Sequence, residues 1–502
     1  MSECSRRRRS REVKVGSLGI GGDNPVRIQS MTNTSTNDIE ASALQVKAIA
    51  DAGGELVRLT TQGVREASAL RQIRRRLAEL GCRVPISADV HFNPKAAFEA
   101  AETADKVRIN PGNFVDAART FRKLEFTEEE YAAEIEKIRR AFIPFLEKCR
   151  ANSVSVRLGV NHGSLSDRIM SRYGDTPEGM VESVMEFLRI AKEEDFNDII
   201  ISIKSSNTVV MTRTVKLLAR AMEEAGMDYP LHLGVTEAGD AEDGRIKSAL
   251  GIGSLLLEGL GDTIRVSLSE APENEIPVAR ELVSYVADSF RRADAEGREC
   301  PVDYRLVEMP EPLRSQRFGA WHADMEQDPE MEDSSATLVG DREGVIVLSY
   351  PEMDLDTLRI HAAADAGYLL LQGKGAALRI DSPSFDRETL GRLELDILQA
   401  ARLRTSKTEY ISCPSCGRTL FNLQSVLQDV KRATSHLTGL KIGVMGCIVN
   451  GPGEMADADY GYVGAGPGRV SIYRGKELIR KNIPTEEALP AMLELIAADR
   501  KP

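Results

Sequence analysis

Between Pro25 and Ser269 the sequence alternates short apolar runs with longer amphipathic stretches. In the stretches, apolar residues recur every three or four positions, which is the period of a helix with one buried face. The first stretch has Asn37 or Asp38 as a helix cap and Gly53 as its stop. Eight strand–helix units in about 250 residues predict a (β/α)₈ TIM barrel. A doubly wound sheet is the alternative, but it usually has fewer strands. The eight predicted strands are VRIQSM, LVRLTT, VPISADVHF, KVRINPG, VSVRLGVN, DIIISIKSSN, LHLGVTEAG and DTIRVSLS.

The pattern changes after the eighth unit. An acidic stretch rich in Pro and Met indicates a linker or surface loop, and it is followed by GVIVLSY, GYLLLQG and ALRID, which predict three strands with helices between them. We predict a small inserted α/β domain without catalytic residues. It is followed by a C-terminal α+β domain that contains the remaining candidate functional residues. The predicted ranges are an N-terminal arm at 1–24, the barrel at 25–292, the insert at 293–394 and the C-terminal domain at 395–502.

Composition narrows the classes of function. The chain has 502 residues and a formal net charge of −12, which argues against a chain-wide basic surface for nucleic acid. No apolar run approaches the roughly 18 residues that cross a bilayer. The Arg-rich start has no apolar segment of a secretory signal, so it predicts a solvated, flexible tail. Seven cysteines, an odd number, argue against a disulfide framework and favour a reducing compartment.

Five of the predicted strands carry a basic residue among apolar ones. Side chains alternate across a strand, so the apolar neighbours pack on the helices and the cation points into the barrel mouth, where barrel active sites lie. Unpaired buried cations are unfavourable, and only Asp89 and Glu237 occupy comparable strand ends. An anionic ligand such as a phosphate would balance the excess, because a guanidinium donates two parallel hydrogen bonds to it. Structural pairing with carboxylates is the alternative. The five cations are Arg58, Arg108, Arg157, Lys204 and Arg265.

Other polar residues lie at the same strand ends. Asn161 and Ser267 are placed to donate hydrogen bonds to a phosphate. Glu237 can transfer a proton if a bound anion raises its pKa, or it can serve as a counter-ion for a neighbouring cation. Asp89 and His91 face the same way, so they contact a ligand or pair with each other. No glycine cluster has the position and spacing of a dinucleotide fingerprint, so no nicotinamide or flavin site is predicted.

Three of the cysteines lie in the last hundred residues. Cys413 and Cys416 belong to the turn CPSCGR, and Cys447 follows an apolar strand. The turn NGPGE after Cys447 can reverse the chain and bring Glu454 back toward it. A structural zinc would need a fourth Cys or His ligand, for which His436 is the one nearby histidine. An iron–sulfur cluster held by three thiolates and one carboxylate is the other interpretation, and it leaves one iron with a weaker, exchangeable ligand.

The motifs QSMTNT, ADVHF, VRINPGN, GVNHGSL, LHLGVTEAG, GDTIRVSL, CPSCGR and GCIVNGPGE resemble those of the 4-hydroxy-3-methylbut-2-enyl diphosphate synthase family. The resemblance covers the barrel and the C-terminal region. It implies the reductive conversion of 2-C-methyl-D-erythritol 2,4-cyclodiphosphate to the linear allylic diphosphate in the non-mevalonate isoprenoid pathway. It also implies a 4Fe–4S cluster and two electrons from reduced ferredoxin or flavodoxin. The Arg-rich start is much shorter than an organelle transit peptide, so we expect a bacterial cytoplasmic location. The insert is similar to that of the longer members of the family, whereas the short bacterial form lacks it.

The resemblance assigns roles to particular residues. It implies that Glu237 is the catalytic acid. It implies cluster ligands at Cys413, Cys416, Cys447 and Glu454. It implies diphosphate-binding positions at Arg58, Arg108, Arg157, Asn161, Lys204, Arg265 and Ser267.

The sequence allows alternatives for the assembly and for the class of function. We expect a monomer that closes its cluster domain onto its own barrel, with the insert as a spacer, in preference to the homodimer of the short form. The barrel alone would also suit a pterin- or phosphate-binding transferase with a structural metal tail. A non-enzymatic cluster carrier is the third possibility.

Overall fold

The first elements of the protein close the floor of the barrel. The computed structural model describes residues 6–116, 124–308, 344–448, 451–455 and 457–500. Two short antiparallel strands, β1 (Val13–Val15) and β2 (Leu18–Ile20), form a hairpin. Its buried apolar residues pack against Leu56 and Ile200, which lie at the N-terminal ends of two barrel strands. The hairpin therefore shields this end of the barrel from water.

The prediction of a flexible, solvated N-terminal tail is wrong for residues 6–24. Besides the hairpin, polar contacts hold this segment to the barrel. Arg6 Nε donates to Asp294 at 2.8 Å, and the buried Ser10 hydroxyl donates to Asp262 at 2.8 Å. The arginines of the segment bind barrel groups that the local sequence does not reveal, so its composition alone suggested solvation.

The predicted barrel is confirmed, and all eight predicted strands are present. They pair in parallel in the order β8-β7-β6-β5-β4-β3-β10-β9, and a bridge between Ile201 and Leu231 joins the two ends. The barrel strands are β3 (Arg27–Met31), β4 (Leu56–Thr61), β5 (Ile86–Val90), β6 (Lys106–Ile109), β7 (Ser155–Asn161), β8 (Ile199–Lys204), β9 (His232–Leu233) and β10 (Thr263–Ile264).

The helices of the barrel bury one face against the outside of the sheet, where they form the main apolar core. The first helix is capped as predicted, because the Asp38 carboxylate accepts from the Ala41 N–H at 3.0 Å and Gly53 follows with φ +102°. The barrel helices are α1 (Ile39–Asp51), α2 (Val64–Glu79), α3 (Pro94–Ala100), α4 (Pro111–Phe114), α5 (Glu128–Ala151), α6 (Asp167–Tyr173), α7 (Pro177–Glu193), α8 (Thr208–Glu224), α9 (Ala241–Leu257) and α10 (Glu275–Ala295).

The insert contains three strands and two helices in its described part. Strand β12 pairs antiparallel with β11 and parallel with β13. The linker or loop predicted around residues 309–343 lies outside the described residues, and the predicted domain boundaries stay predictions. The elements are β11 (Arg305–Val307), β12 (Val345–Ser349), α11 (Leu355–Leu370), β13 (Ala377–Asp381) and α12 (Arg387–Ala400).

The prediction of a strand at GYLLLQG is wrong, because most of this run forms the end of α11. The helix packs closely on α9 through small residues. A Cβ on Gly253 would come within 2.6 Å of the Ala364 Cβ, and a Cβ on Gly367 would come within 2.7 Å of the Leu250 carbonyl oxygen. A buried helix end and a buried strand have the same run of apolar residues, so the pattern could not separate them.

The C-terminal domain is a five-stranded sheet with two longer helices, in agreement with the predicted α+β fold. Strands β14, β15 and β16 are parallel, and β17 and β18 continue the sheet in antiparallel fashion. The elements are β14 (Glu409–Ser412), α13 (Leu423–Thr434), β15 (Lys441–Met445), α14 (Gly451–Glu454), β16 (Tyr460–Gly466), β17 (Arg469–Arg474), β18 (Glu477–Pro484) and α15 (Thr485–Asp499).

The C-terminal domain covers the barrel mouth of the same chain. A parallel bridge joins Ala238 to Ser412, and the Ser269 hydroxyl donates to the Cys413 carbonyl at 2.9 Å. Helix α10 ends at the floor of the barrel, opposite the mouth, where its residue Asp294 contacts the N-terminal segment. The insert lies against α9 and α10, so it leads the chain from the floor of the barrel back to the mouth. None of the described helices is long and apolar enough to cross a membrane.

Candidate active site

A cavity lies between the barrel mouth and the C-terminal domain. Residues of both domains line it, so the site is complete only when the C-terminal domain covers the mouth. Every predicted site residue except Glu454 lines the cavity, namely Arg58, Arg108, Arg157, Asn161, Lys204, Glu237, Arg265, Ser267, Cys413, Cys416 and Cys447.

Two of the five strand cations are paired with carboxylates. Arg265 donates to both oxygens of Glu275, at 3.1 and 2.9 Å, and Arg108 donates to Asp89 at 2.9 Å. Structural pairing with carboxylates, the alternative to phosphate binding, therefore holds for two of the five strand cations. Glu275 was missed because it is the first residue of α10 rather than a strand residue.

The other three cations have no carboxylate hydrogen bond among the described residues. Arg157 is 1% exposed, and its Nε and Nη1 have no partner in the described part of the chain. The Arg58 guanidinium contacts the Met31 sulfur at 2.9 and 3.2 Å, and burial lowers its pKa to about 10. Burial, followed by the charges of Arg58 and Arg157, also lowers the pKa of Lys204 well below its usual value. A buried cation without a counter-ion is unfavourable, so these three side chains favour the binding of an anion.

A sixth cation enters the cavity from the C-terminal domain. Arg418 donates to the Asp89 carboxylate at 3.2 Å, so Asp89 binds arginines of both domains. Burial opposes ionisation of Asp89, but the charges of Arg58 and Arg108 outweigh it and hold its pKa well below the usual range. Arg418 was missed as a site residue, although it ends the motif CPSCGR. Its distance from the barrel in sequence concealed the pairing.

Asp89 and His91 share Arg108 as a partner. The imidazole Nε2 lies 3.8 Å from the Asp89 carboxylate and forms a closer contact with the Arg108 guanidinium. Burial, and then the charge of Arg108, lowers the pKa of His91 well below its usual value. A neutral imidazole beside a cation can accept a hydrogen bond from it.

Glu237 lies at the mouth directly after β9 and is 5% exposed. Its φ of +48° is in the left-handed region, which is unfavourable for a residue with a side chain and is characteristic of functional sites. Its carboxylate accepts a hydrogen bond from the Thr236 hydroxyl. Burial raises its pKa to about 7 despite the opposing charges of Lys204 and Arg265. This carboxyl can therefore hold a transferable proton near neutral pH.

The three cysteines converge because they follow neighbouring strands. Cys413 follows β14 and Cys447 lies just beyond β15, two strands that pair in parallel. The turn to Cys416 has Ser415 at φ +63°, and the Cys416 N–H donates to the Thr419 hydroxyl at 3.0 Å. Burial raises the pKa of the Cys413 thiol. Within the described ranges, no three His, Cys, Asp or Glu residues form a group that could hold a metal ion as placed.

Glu454 ends α14 beside the barrel and is 2% exposed. Its Oε1 accepts from the Gly163 N–H at 3.4 Å, while its Oε2 has no partner among the described residues. Burial and then the charge of Glu237 raise its pKa well above the usual value. Three thiols that line one cavity, together with a buried carboxylate oxygen that has no partner among the described residues, are the donor types of an iron–sulfur cluster with one non-cysteine ligand.

The fold and the site together define a barrel enzyme for an anionic substrate. A cysteine-bearing domain covers the mouth of its barrel. The family model described as the GcpE TIM-barrel domain matches residues 10–280, and that of the GcpE protein C-terminal domain matches residues 409–498. The chain belongs to the GcpE family.

Curated relatives match nearly the whole chain. The 4-hydroxy-3-methylbut-2-en-1-yl diphosphate synthase (flavodoxin) of Bacteroides fragilis is 50% identical over 98% of this chain and 96% of its own length. The relative of the same name from Bacteroides thetaiotaomicron is 50% identical over 99% of this chain and 98% of its own length. The alignment to the first extends over 610 positions, so that relative contains segments that this 502-residue chain lacks. The family predicted from the motifs, an oxidoreductase family of isoprenoid biosynthesis, is confirmed.

Proposed function

We propose that the cavity is the site where 2-C-methyl-D-erythritol 2,4-cyclodiphosphate is reduced and dehydrated to (E)-4-hydroxy-3-methylbut-2-enyl diphosphate. The reaction takes up two electrons and two protons, breaks C–O bonds and releases one water molecule. One observation carries the proposal: buried cations that have no carboxylate partner among the described residues line a single cavity together with three thiols. The cations suit a diphosphate and the thiols suit a redox centre, so both halves of the reaction have residues to perform them.

The barrel binds the diphosphate in this proposal. Arg157, Arg58 and Lys204 are the primary phosphate ligands, because they lack carboxylate hydrogen bonds within the described residues. Arg108 and Arg265 are held in position by Asp89 and Glu275 and direct their remaining donors at the substrate. Each charge-assisted hydrogen bond to phosphate contributes about 1.5–3 kcal/mol. Asn161 and Ser267 line the same wall and add neutral donors.

Glu237 supplies a proton to the oxygen that leaves as water. It is largely protonated below pH 7, since burial raises its pKa to about 7. A bound diphosphate adds negative charge near the carboxyl and raises this pKa further. The carboxyl is buried beneath the covering domain, so we expect the proton to come from this residue rather than from bulk solvent.

Cys413, Cys416, Cys447 and Glu454 hold a 4Fe–4S cluster in this proposal. When bound, the cluster supplies one-electron reduction and a Lewis-acidic iron for a substrate oxygen. Burial opposes the charge of Arg418, but Asp89, Cys416 and Cys447 outweigh it and raise the pKa of its guanidinium. This cation would offset the negative charge of the cluster thiolates. The electron donor is reduced flavodoxin, which the names of the relatives give, or ferredoxin.

We further propose that a single chain forms the complete site as a monomer. Closure within the chain is supported by the bridge between Ala238 and Ser412 and by the Lys247–Glu409 ion pair at 2.7 Å. The insert acts as a spacer, because it lies along the barrel and leads the chain to the mouth.

The direct test is anaerobic turnover of the cyclodiphosphate with reduced methyl viologen. Formation of the linear allylic diphosphate supports the proposal and excludes a non-enzymatic cluster carrier. Iron-containing, coloured protein excludes the transferase with a structural zinc. A reconstituted, iron-loaded protein that leaves the cyclodiphosphate intact would contradict the proposal.

A further inference from the structure

We propose that an exposed patch beside the cysteine loop, formed by Val64, Arg65, Phe92 and Lys95, is the docking surface for an acidic, flavin-bearing electron carrier. The inference rests on the proposed function and adds the place where its electrons enter. We call these four residues the docking patch.

The docking patch borders the loop that carries Cys416. Val64 and Arg65 begin α2 just after β4, and Phe92 and Lys95 follow β5, so both pairs lie at the barrel mouth. The two segments adjoin, because a Cβ on Gly63 would lie 4.0 Å from the Asn93 amide nitrogen.

The cysteine loop packs on the same segments. A Cβ on Gly417 would lie 3.4 Å from the Thr60 Cβ, and Arg418 binds Asp89 at 3.2 Å. Asp89 precedes Phe92 by three residues, which span about 11 Å at most. A protein seated on the docking patch therefore comes close to the cysteines without opening the cavity.

The apolar part of the patch is presented to solvent by the backbone. Val64 is 43% exposed and Phe92 is 42% exposed. Phe92 has φ +58°, a conformation that bulky residues rarely adopt. The preceding residue, His91, lines the cavity, whereas Phe92 is not among the residues that line it. An exposed aromatic side chain in a constrained conformation is typical of an interface residue.

The basic part of the patch lacks counter-ions. Arg65 and Lys95 are exposed, and neither forms an ion pair with any residue that the structure describes. Three other arginines of α2, Arg71, Arg74 and Arg76, bind carboxylates, whereas Arg75 resembles Arg65 in having no ion pair among the described residues.

The carboxylate next to Arg65 in the sequence is already engaged. Both oxygens of Glu66 accept hydrogen bonds, one from the Gly63 N–H at 3.0 Å and one from the Asn37 amide at 2.6 Å. On a chain with a net charge of −12, two uncompensated cations beside two exposed apolar side chains select an acidic partner. Electron carriers use small, transient, charge-steered interfaces of this kind.

The test compares two reductants on one enzyme. The double variant Arg65→Glu, Lys95→Glu should raise the KM for a reduced, acidic bacterial flavodoxin by roughly tenfold and flatten its salt dependence. Turnover with reduced methyl viologen should not change, because this small reductant needs no docking surface. Phe92→Asn tolerates the same backbone conformation and should raise the flavodoxin KM without a charge change.

Arg75→Glu is the matched control. It lies on α2 ten residues from Arg65, about 15 Å along the helix, and should leave both assays unchanged. A flavodoxin KM that is the same in the double variant and the control would overturn the inference. Equal losses with both reductants would also overturn it, because the patch would then act on the site itself. Failure of the unaltered protein with methyl viologen would instead contradict the proposed function.

Discussion

Arg265 and Glu275 form a buried, two-fold hydrogen-bonded ion pair in the barrel mouth, with distances of 3.1 and 2.9 Å. Glu275 also accepts from the Ser30 hydroxyl at 2.7 Å. Lys204, by contrast, has no ion pair with any carboxylate of the described residues, although it lines the same cavity. The cations of the mouth therefore divide into structural pairs and residues that await a ligand, and substitutions should separate the two groups.

Lys204→Met should weaken substrate binding by about 1.5–3 kcal/mol without lowering the melting temperature of the substrate-free protein. The reason is that the change removes a buried charge that has no ion pair within the described part of the chain. Binding calorimetry and thermal unfolding on the same samples measure the two effects. A large loss of melting temperature in this variant would show that Lys204 is structural.

Arg265→Met should destabilise the folded state as well, by about 3–5 kcal/mol, because it leaves the Glu275 carboxylate buried without its cation. Removing both partners in Arg265→Met, Glu275→Gln should recover part of that stability while substrate binding stays weak. Thermal unfolding distinguishes the single and double variants. If the double variant unfolds no later than the single one, the pair does not have the structural role assigned to it.

Changing Cys413, Cys416 or Cys447 to Ser should remove most bound iron and all turnover, because each thiolate is a cluster ligand in the proposed function. Glu454→Ala should retain more iron than these variants and still lose turnover, since it affects the substrate-facing iron. Cys82→Ser is the control, because Cys82 lies after α2 and outside the cavity. Iron analysis and visible absorption measure the effect. Normal turnover by Glu454→Ala would refute its ligand role.

Asp365 links the insert to the barrel, and its titration should make this contact sensitive to pH. Its Oδ2 accepts from the hydroxyls of Tyr285, on α10, and Tyr350. Burial raises its pKa to about 6 from an ordinary value of 3.8. The folded state thus binds this proton more tightly than the unfolded state, so the stability falls as pH rises from about 4 to 6.

Asp365→Asn removes this titration and keeps an oxygen to accept the tyrosine hydroxyls. Relative to the variant, the unaltered protein should lose about 2.4 kcal/mol of unfolding free energy between pH 4 and pH 7. Thermal unfolding of both proteins at several pH values measures the difference. A difference that does not vary with pH would contradict the assignment.

Much of the fold and site was predictable because the signals are local. Eight predicted strands identify the barrel, the Arg or Lys at inward positions of five of them identifies its basic mouth, and CPSCGR with GCIVNGPGE identifies the cysteine-bearing domain. The remaining features depend on contacts between distant segments. Glu275 pairs with Arg265 from a helix, and Arg418 reaches Asp89 from 329 residues away in sequence. The apolar run GYLLLQG suits a strand as well as the end of a helix. Its packing on Gly253, a distant residue, is what identifies it as the end of α11.

The central claim is that the barrel cations and the cysteines of one chain form one active site. The most direct measurement is co-expression of two inactive variants, Lys204→Ala and Cys413→Ser, followed by an anaerobic turnover assay. Each variant co-expressed with the unaltered chain serves as the control for mixing. Closure within one chain predicts no activity above that of the separate variants, because every chain lacks one half of its site. Partial recovery of turnover from mixed assemblies would contradict the account, since it requires a barrel and a cysteine-bearing domain from different chains.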